Sequence, residues 1–318
     1  MNDRISIAAS IAGLVLISAA ANAQSWSPPS PEQRCPSKWG ATDERGAANL
    51  LTPESVLNAS RLIRTGEVIE LGRVLATDMP LFGTRRFDIH TKRTGGPMGS
   101  NKRYTNEELV ITELGQVGTQ FDMFSHQSID NKHYNCFETD QITSRNGFTK
   151  LGVEKIGSIY TRGVLIDVAA TKGVEQLAVG YEITVEDLQS ALKQQNVTLK
   201  AGDAVLIHTG WGRLWGVDNA KYNSGCPGIG IPAAEWLAKQ NPLLFGSDNF
   251  PVEVSPNPDK NLSLPIHQLA LSVHGIFLLE NMKLDELAAK KVYEFAFVVQ
   301  PLKIKGGTGS TVAPVAIR

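Results

Sequence analysis

The chain has 318 residues, with 31 Lys and Arg against 32 Asp and Glu and a formal net charge of −1. No basic stripe or run of like charge stands out, which argues against nucleic acid as a partner. The length is enough to bury a substantial core as one large domain or two small ones.

Residues 5–21 are almost entirely apolar or small, follow Arg4, and end in Ala21-Asn22-Ala23. That pattern predicts a signal peptide over 1–23, cut between Ala23 and Gln24. The run is short for a membrane span, and no later stretch is long and apolar enough to cross a bilayer. The expected mature protein is soluble and periplasmic or secreted, with no membrane contact. The cysteines are Cys35, Cys136 and Cys226. An odd count in an oxidising compartment allows one disulfide and one free thiol, and the pairing stays open. The absence of Cys-x-x-Cys argues against a thiolate zinc site.

Pro, Ser and polar residues dominate 24–38, which reads as a flexible leader to a single domain over 39–318. Thr52-Pro53-Glu54 opens a helix, with a hydroxyl N-cap and proline at the first helical position. Thr184-Val185-Glu186-Asp187 is a capping-box pattern, after which Val185, Leu188 and Leu192 recur on one face. A third helix is expected over 232–240. Short β-branched runs predict strands over 164–168, 204–208, 243–245, 276–279 and 295–299. Residues 85–93, rich in Arg and Lys around His90, read as a solvated loop able to steer an anionic substrate. Strands outnumber helices without alternating strictly, so a mixed-sheet α/β or α+β domain is expected. Gly306-Gly307-Thr308-Gly309-Ser310 lacks the Lys of a phosphate loop and reads as a turn into the last strand.

Gln116-Val117-Gly118-Thr119-Gln120-Phe121-Asp122-Met123-Phe124-Ser125-His126 packs a Gly-Thr turn, a carboxylate and an imidazole into one short stretch. By itself it is an ordinary turn with a capping aspartate. Its spacing resembles the signature H-x-G-T-H-x-D-x-P-x-H of the cyclase family, to which bacterial kynurenine formamidase and isatin hydrolase belong. Gly118, Thr119, Asp122 and His126 keep that signature. Gln116 and Gln120 replace its first two histidines, and Phe124 its proline. Further blocks match in order: Trp39-Gly40, Asp43-Glu44-Arg45-Gly46, Thr161-Arg162-Gly163, Gly202-Asp203, Thr209-Gly210-Trp211-Gly212, Pro265-Ile266-His267, Leu279-Glu280-Asn281 and Gly309-Ser310.

The resemblance implies the swivelling β/β/α-type single domain of that family and a metal-dependent hydrolase acting on a small molecule. The target would be an amide or a lactone or ester bond of a cyclic or acylated carboxyl compound. Carried over, the metal positions are Gln116, Gln120, Asp122, His267 and Glu280, and His126 matches the proton shuttle. Gln116, Gln120, Thr119, Phe121, Phe124 and Trp211 are candidates for positioning substrate or water, although core packing suits the aromatics equally. The family also implies a homo-oligomer. An amide oxygen is a harder, weaker donor than imidazole. Three states therefore stay open: one divalent ion (zinc or manganese) on Asp122, His267 and Glu280; a harder ion that also uses the glutamines; or no metal. The last would suit a small-molecule binding protein or pseudoenzyme. His133, His208 and His274 read as structural histidines or pocket lining, while Asp248 and Glu253 either face the site or cap a turn.

Overall fold

The structure, a computed structural model, describes residues 25–318. The expected signal peptide and its cleavage site lie outside the described residues. Among these, the core is a mixed sheet of nine strands: β1 (Val68–Glu70), β2 (Gln120–Asp122), β3 (Ile159–Asp167), β4 (Ala204–His208), β5 (Leu244–Ser247), β6 (Phe277–Glu280), β7 (Glu294–Val299), β8 (Gly309–Thr311) and β9 (Val315–Ile317). Their order across the sheet is β1-β9-β7-β3-β4-β5-β6-β2-β8. The middle strands β3, β4, β5 and β6 are mutually parallel, and antiparallel strands flank them on both sides. This is the α/β mixed-sheet domain expected from the sequence.

Strands β4, β5 and β6 are buried along their whole length, which is why β4 reads as an unbroken apolar run, Ala204-Val205-Leu206-Ile207. Helix Val185–Gln195 packs on β3 and on helix Ile231–Ala238, with Leu188, Ala191 and Leu192 inward. The Thr184 hydroxyl caps it by accepting from the Asp187 N–H at 3.2 Å. Helix Pro53–Ser60 begins at its predicted cap, Thr52, and lies against β3 and β7. Strand β3 stops at Asp167, whose carboxylate caps the helical turn Val168–Thr171 by accepting from the Ala170 N–H at 3.0 Å. For that reason the expected strand at 164–168 ends before Val168 and extends back to Ile159.

Two expectations need correction. The leader over 24–38 is not free from residue 25 onward. A short helix, Pro31–Arg34, ends at Cys35, which is disulfide-bonded to Cys136 across 101 positions, and Arg34 is buried with a hydrogen bond to the His133 carbonyl at 3.2 Å. Cys226 is left as a buried free thiol. The basic loop around His90 is instead strand Phe87–Met98, paired antiparallel with Arg103–Thr112. This hairpin stands clear of the core, and Ile89, Leu109, Val110 and Ile111 are exposed on it. Because neither face is buried, its sequence lacks the alternation by which strands are recognised.

Candidate active site

The signature segment folds around β2, which is hydrogen-bonded between β6 and β8. The turn before β2 needs Gly118: its φ is +64°, and a Cβ there would meet Leu75 Cδ2 at 2.3 Å. Thr119 locks that turn to the end of β6, donating to the Asn281 carbonyl at 2.9 Å and accepting from the Arg73 N–H at 2.9 Å. Side chains alternate along β2, so Gln120 and Asp122 share one face and Phe121 takes the other. Register places Gln120 opposite Glu280, and the Gln120 amide donates to Glu280 Oε2 at 2.7 Å.

His267 arrives from a different quarter, in the helical turn Pro265–His267. Glu253 fixes it there by accepting from the Ile266 N–H (3.2 Å), the His267 N–H (3.1 Å) and His267 Nδ1 (2.6 Å). The opposite ring nitrogen, Nε2, then lies 3.1 Å from Glu280 Oε1 and 3.8 Å from Asp122 Oδ2. His126, in the turn after β2, brings its Nε2 to 4.0 Å from the same Asp122 oxygen. Gln116 completes the cluster, with its Nε2 3.3 Å from Asp122 Oδ1 and 3.2 Å from His126 Nδ1. The sheet thus gathers Gln116, Gln120, Asp122, His126, His267 and Glu280 into one place.

The remaining sequence candidates go elsewhere. Phe121 and Phe124 pack on Phe277 with ring centroids 4.9 and 4.6 Å away, fully inside the core; the pleat turns Phe121 from the site, and Phe124 lies in the turn beyond β2. Thr119 serves the turn. Trp211 sits in a separate cluster with Tyr222 and Cys226 and donates its indole N–H to the Tyr222 carbonyl at 3.2 Å. Asp248 holds the Thr209-Gly212 turn, and His208 is paired with Asp167 at 2.8 Å. His133 Nδ1 faces the Gln127 carbonyl at 2.9 Å. Two members of the site were not assigned from sequence. Glu253, left undecided, follows the carboxyl end of parallel strand β5, where ligand-binding groups gather in open α/β sheets. Arg85, expected to be solvated, instead donates from its guanidinium to Gln116 Oε1 at 3.0 Å.

Electrostatics mark the site as a cation position. Glu280 is pushed up to about 7, first by burial and then by the Asp122 carboxylate. Burial works against charge on His267, but the hydrogen bonds it donates to Glu253 and Glu280 outweigh it and raise the imidazole well above its usual value. His126 is lowered, because burial outweighs the attraction of Asp122. Among the described residues, Asp122 Oδ2 is buried with no hydrogen-bond partner. A buried carboxylate oxygen left this way is costly unless a cation faces it. Asp122, His126 and His267 each offer a donor atom, all within 4.8 Å of one another. The 3.8 Å separation between the Asp122 oxygen and His267 Nε2 suits donors that share one ion at about 2.0–2.2 Å each. The Glu253–His267 pair is the usual backing for a metal-binding imidazole. The residues fit a divalent ion.

The cyclase family model matches residues 69–254, more than half of the chain. A crystal structure described as a novel cyclase is 32% identical, covering 88% of this chain and 98% of its own, with a TM-score of 0.81. Isatin hydrolase A from Ralstonia solanacearum is 24% identical, with 84% and 97% covered and a TM-score of 0.57. A predicted metal-dependent hydrolase from Bacillus stearothermophilus is 16% identical, with 79% and 97% covered and a TM-score of 0.52. The last two share the fold. No curated protein matches the sequence.

Proposed function

We propose, from the premise that this chain belongs to the cyclase family, that it is a metal-assisted hydrolase of a small cyclic or acylated carboxyl compound, opening an amide or lactone bond. The observation that carries the reading is the unpartnered Asp122 Oδ2, buried and facing the imidazoles of His126 and His267. Asp122 and His267 would hold the ion, with Glu280 beside them. A divalent cation in that position polarises a carbonyl and makes water a better nucleophile near neutral pH. Glu253 holds the His267 ring in place. His126, lowered by burial, moves a proton between the attacking water and the leaving atom. Arg85 sets a permanent positive charge beside the cluster, which suits the carboxylate released when a lactam or lactone opens. The isatin hydrolases among the structural neighbours support a cyclic amide as substrate class.

The test is metal analysis of the purified protein together with hydrolysis of a panel of isatin, lactones and N-formyl aromatic amines. Bound divalent ion, with turnover that chelation removes and metal restores, is the expected result. A second reading, a metal-free binding protein, is favoured by the glutamine amides at two signature positions. A protein that holds no ion and binds a panel member without cleaving it would establish that reading instead. We further propose that the protein is exported to an oxidising compartment, and the Cys35–Cys136 bond supports this. A homo-oligomer is supported by the apolar side chains exposed on the hairpin, which the other described residues leave uncovered. N-terminal sequencing and light scattering read these two proposals directly.

A further inference from the structure

Two imidazoles meet at Asp122, and the groups behind them differ in kind. Behind His267, Nδ1 faces the carboxylate of Glu253 at 2.6 Å. A carboxylate only accepts, so this Nδ1 carries a proton, and Nε2, turned toward Glu280 Oε1 and Asp122 Oδ2, is the nitrogen an ion would take in exchange for its proton. Behind His126, Nδ1 faces the amide of Gln116 at 3.2 Å. The sense of that contact depends on which way the amide is turned.

Arg85 decides it. A guanidinium has donors and no acceptor, so the Gln116 atom 3.0 Å from Arg85 Nη2 must be the oxygen. Gln120 adds a second donor to that oxygen at 3.4 Å, and Gln120 is itself oriented by its bond to Glu280 Oε2. The Gln116 NH2 is therefore the group facing Asp122 Oδ1 and His126 Nδ1. An amide NH2 can only donate, so His126 Nδ1 must accept and be bare. A neutral His126 then carries its proton on Nε2, the nitrogen aimed at the Asp122 oxygen.

We propose that Arg85 is a positioning residue which, through Gln116, holds His126 as its Nε2–H tautomer, so that this ring offers the site a proton and not a lone pair. The two imidazoles are thereby divided in role: His267 is available to bind an ion, and His126 is kept as a proton donor. The glutamine at the first signature position thus selects a tautomer. Arg85 and Gln116 lie at the two feet of the exposed hairpin, so the contact also ties its arms together beside the site. The role in catalysis rests on the hydrolase reading; the tautomer does not.

The experiment is a two-dimensional ¹H–¹⁵N spectrum of the histidine side chains above pH 8, with His126 assigned by the signals lost in His126→Gln. The wild-type protein is expected to show His126 with bare Nδ1 and protonated Nε2. Arg85→Met frees the amide to turn and should give Nδ1–H or a mixture, while Arg85→Lys keeps a donor and should restore the wild-type pattern. Gln116→Glu places an acceptor behind the ring and should convert it to Nδ1–H; it serves also if Arg85→Met does not fold. Added zinc should move the His267 signals and leave the His126 tautomer unchanged. Where a substrate is in hand, Arg85→Met should lower kcat by about 10²-fold, the lower range for lost general acid–base catalysis, with KM less affected. A wild-type Nδ1–H signal, or the same tautomer in Arg85→Met and Gln116→Glu, overturns the inference. A protein that hydrolyses nothing yet shows the Arg85-dependent tautomer retains it and loses only the hydrolase reading.

Discussion

Replacing Glu253 with Gln is the most informative single change in the structure, because shape is kept while one acceptor becomes a donor. Glu253 is fully buried and receives three hydrogen bonds on two oxygens, from Ile266 N–H, His267 N–H and His267 Nδ1. A glutamine oxygen in the Oε1 place can keep the two His267 bonds, now without charge assistance. Its NH2 then faces the Ile266 N–H, donor against donor, in the core. Losing the charge from a hydrogen bond of this kind, and leaving one buried N–H unpaired, together cost about 3 kcal/mol. The change also slackens the ring that faces Asp122, and lost backing of a ligand imidazole weakens metal binding by about 10–100-fold. Urea unfolding followed by circular dichroism reads the first effect, provided the slope stays constant. Competition with a chromophoric chelator reads the second. Unchanged metal affinity with a stability loss under about 1 kcal/mol would refute the claim that Glu253 holds His267 for the site.

Three further outcomes are expected. Asp122→Asn should abolish metal binding in elemental analysis while improving or barely changing the melting temperature without metal, since it removes a carboxylate whose Oδ2 has no partner. Cys35→Ser opens a closure of 101 positions and should lower stability by about 4–5 kcal/mol in the chain-entropy account, as measured by denaturant unfolding of the oxidised and variant proteins. His208 is buried, which disfavours its charge, but its hydrogen bond to Asp167 and the charge of Asp248 prevail and raise its pKa above 6.5. Its contribution to stability is therefore complete below pH 6.5 and is lost as pH climbs through the raised value; His208→Asn should flatten that decline in melting temperature.

The elements legible in the sequence were those whose local chemistry and burial agree. The caps at Thr52 and Thr184 and the apolar run of β4 fall where they were expected. The exposed hairpin was missed because Arg, Lys and Glu occupy both its faces, and the leader because a disulfide and one buried arginine anchor it without an apolar pattern. Around the site, the residue types at 116–126 pointed to the right segment. Direction did not follow from type: only the pleat of β2 separates Asp122, which faces the site, from Phe121, which faces the core. Arg85 could not be found by spacing at all, since it reaches Gln116 across the feet of a hairpin that the sequence did not announce.

Strand β2 has a consequence for how the protein matures. Its neighbours β6 and β8 come from the far end of the chain, and the Gln120–Glu280 contact spans 160 positions. Pairings of such long range are closed late and slowly, after local helices and hairpins have formed. A nascent chain lacking its last strands therefore contains the whole signature segment but neither Glu280 nor the strands that close the pocket around it. An ion has nothing to bind until the sheet is closed. When it binds, it stabilises the finished domain as a unit, by mass action on the native state, rather than seeding any one part of it.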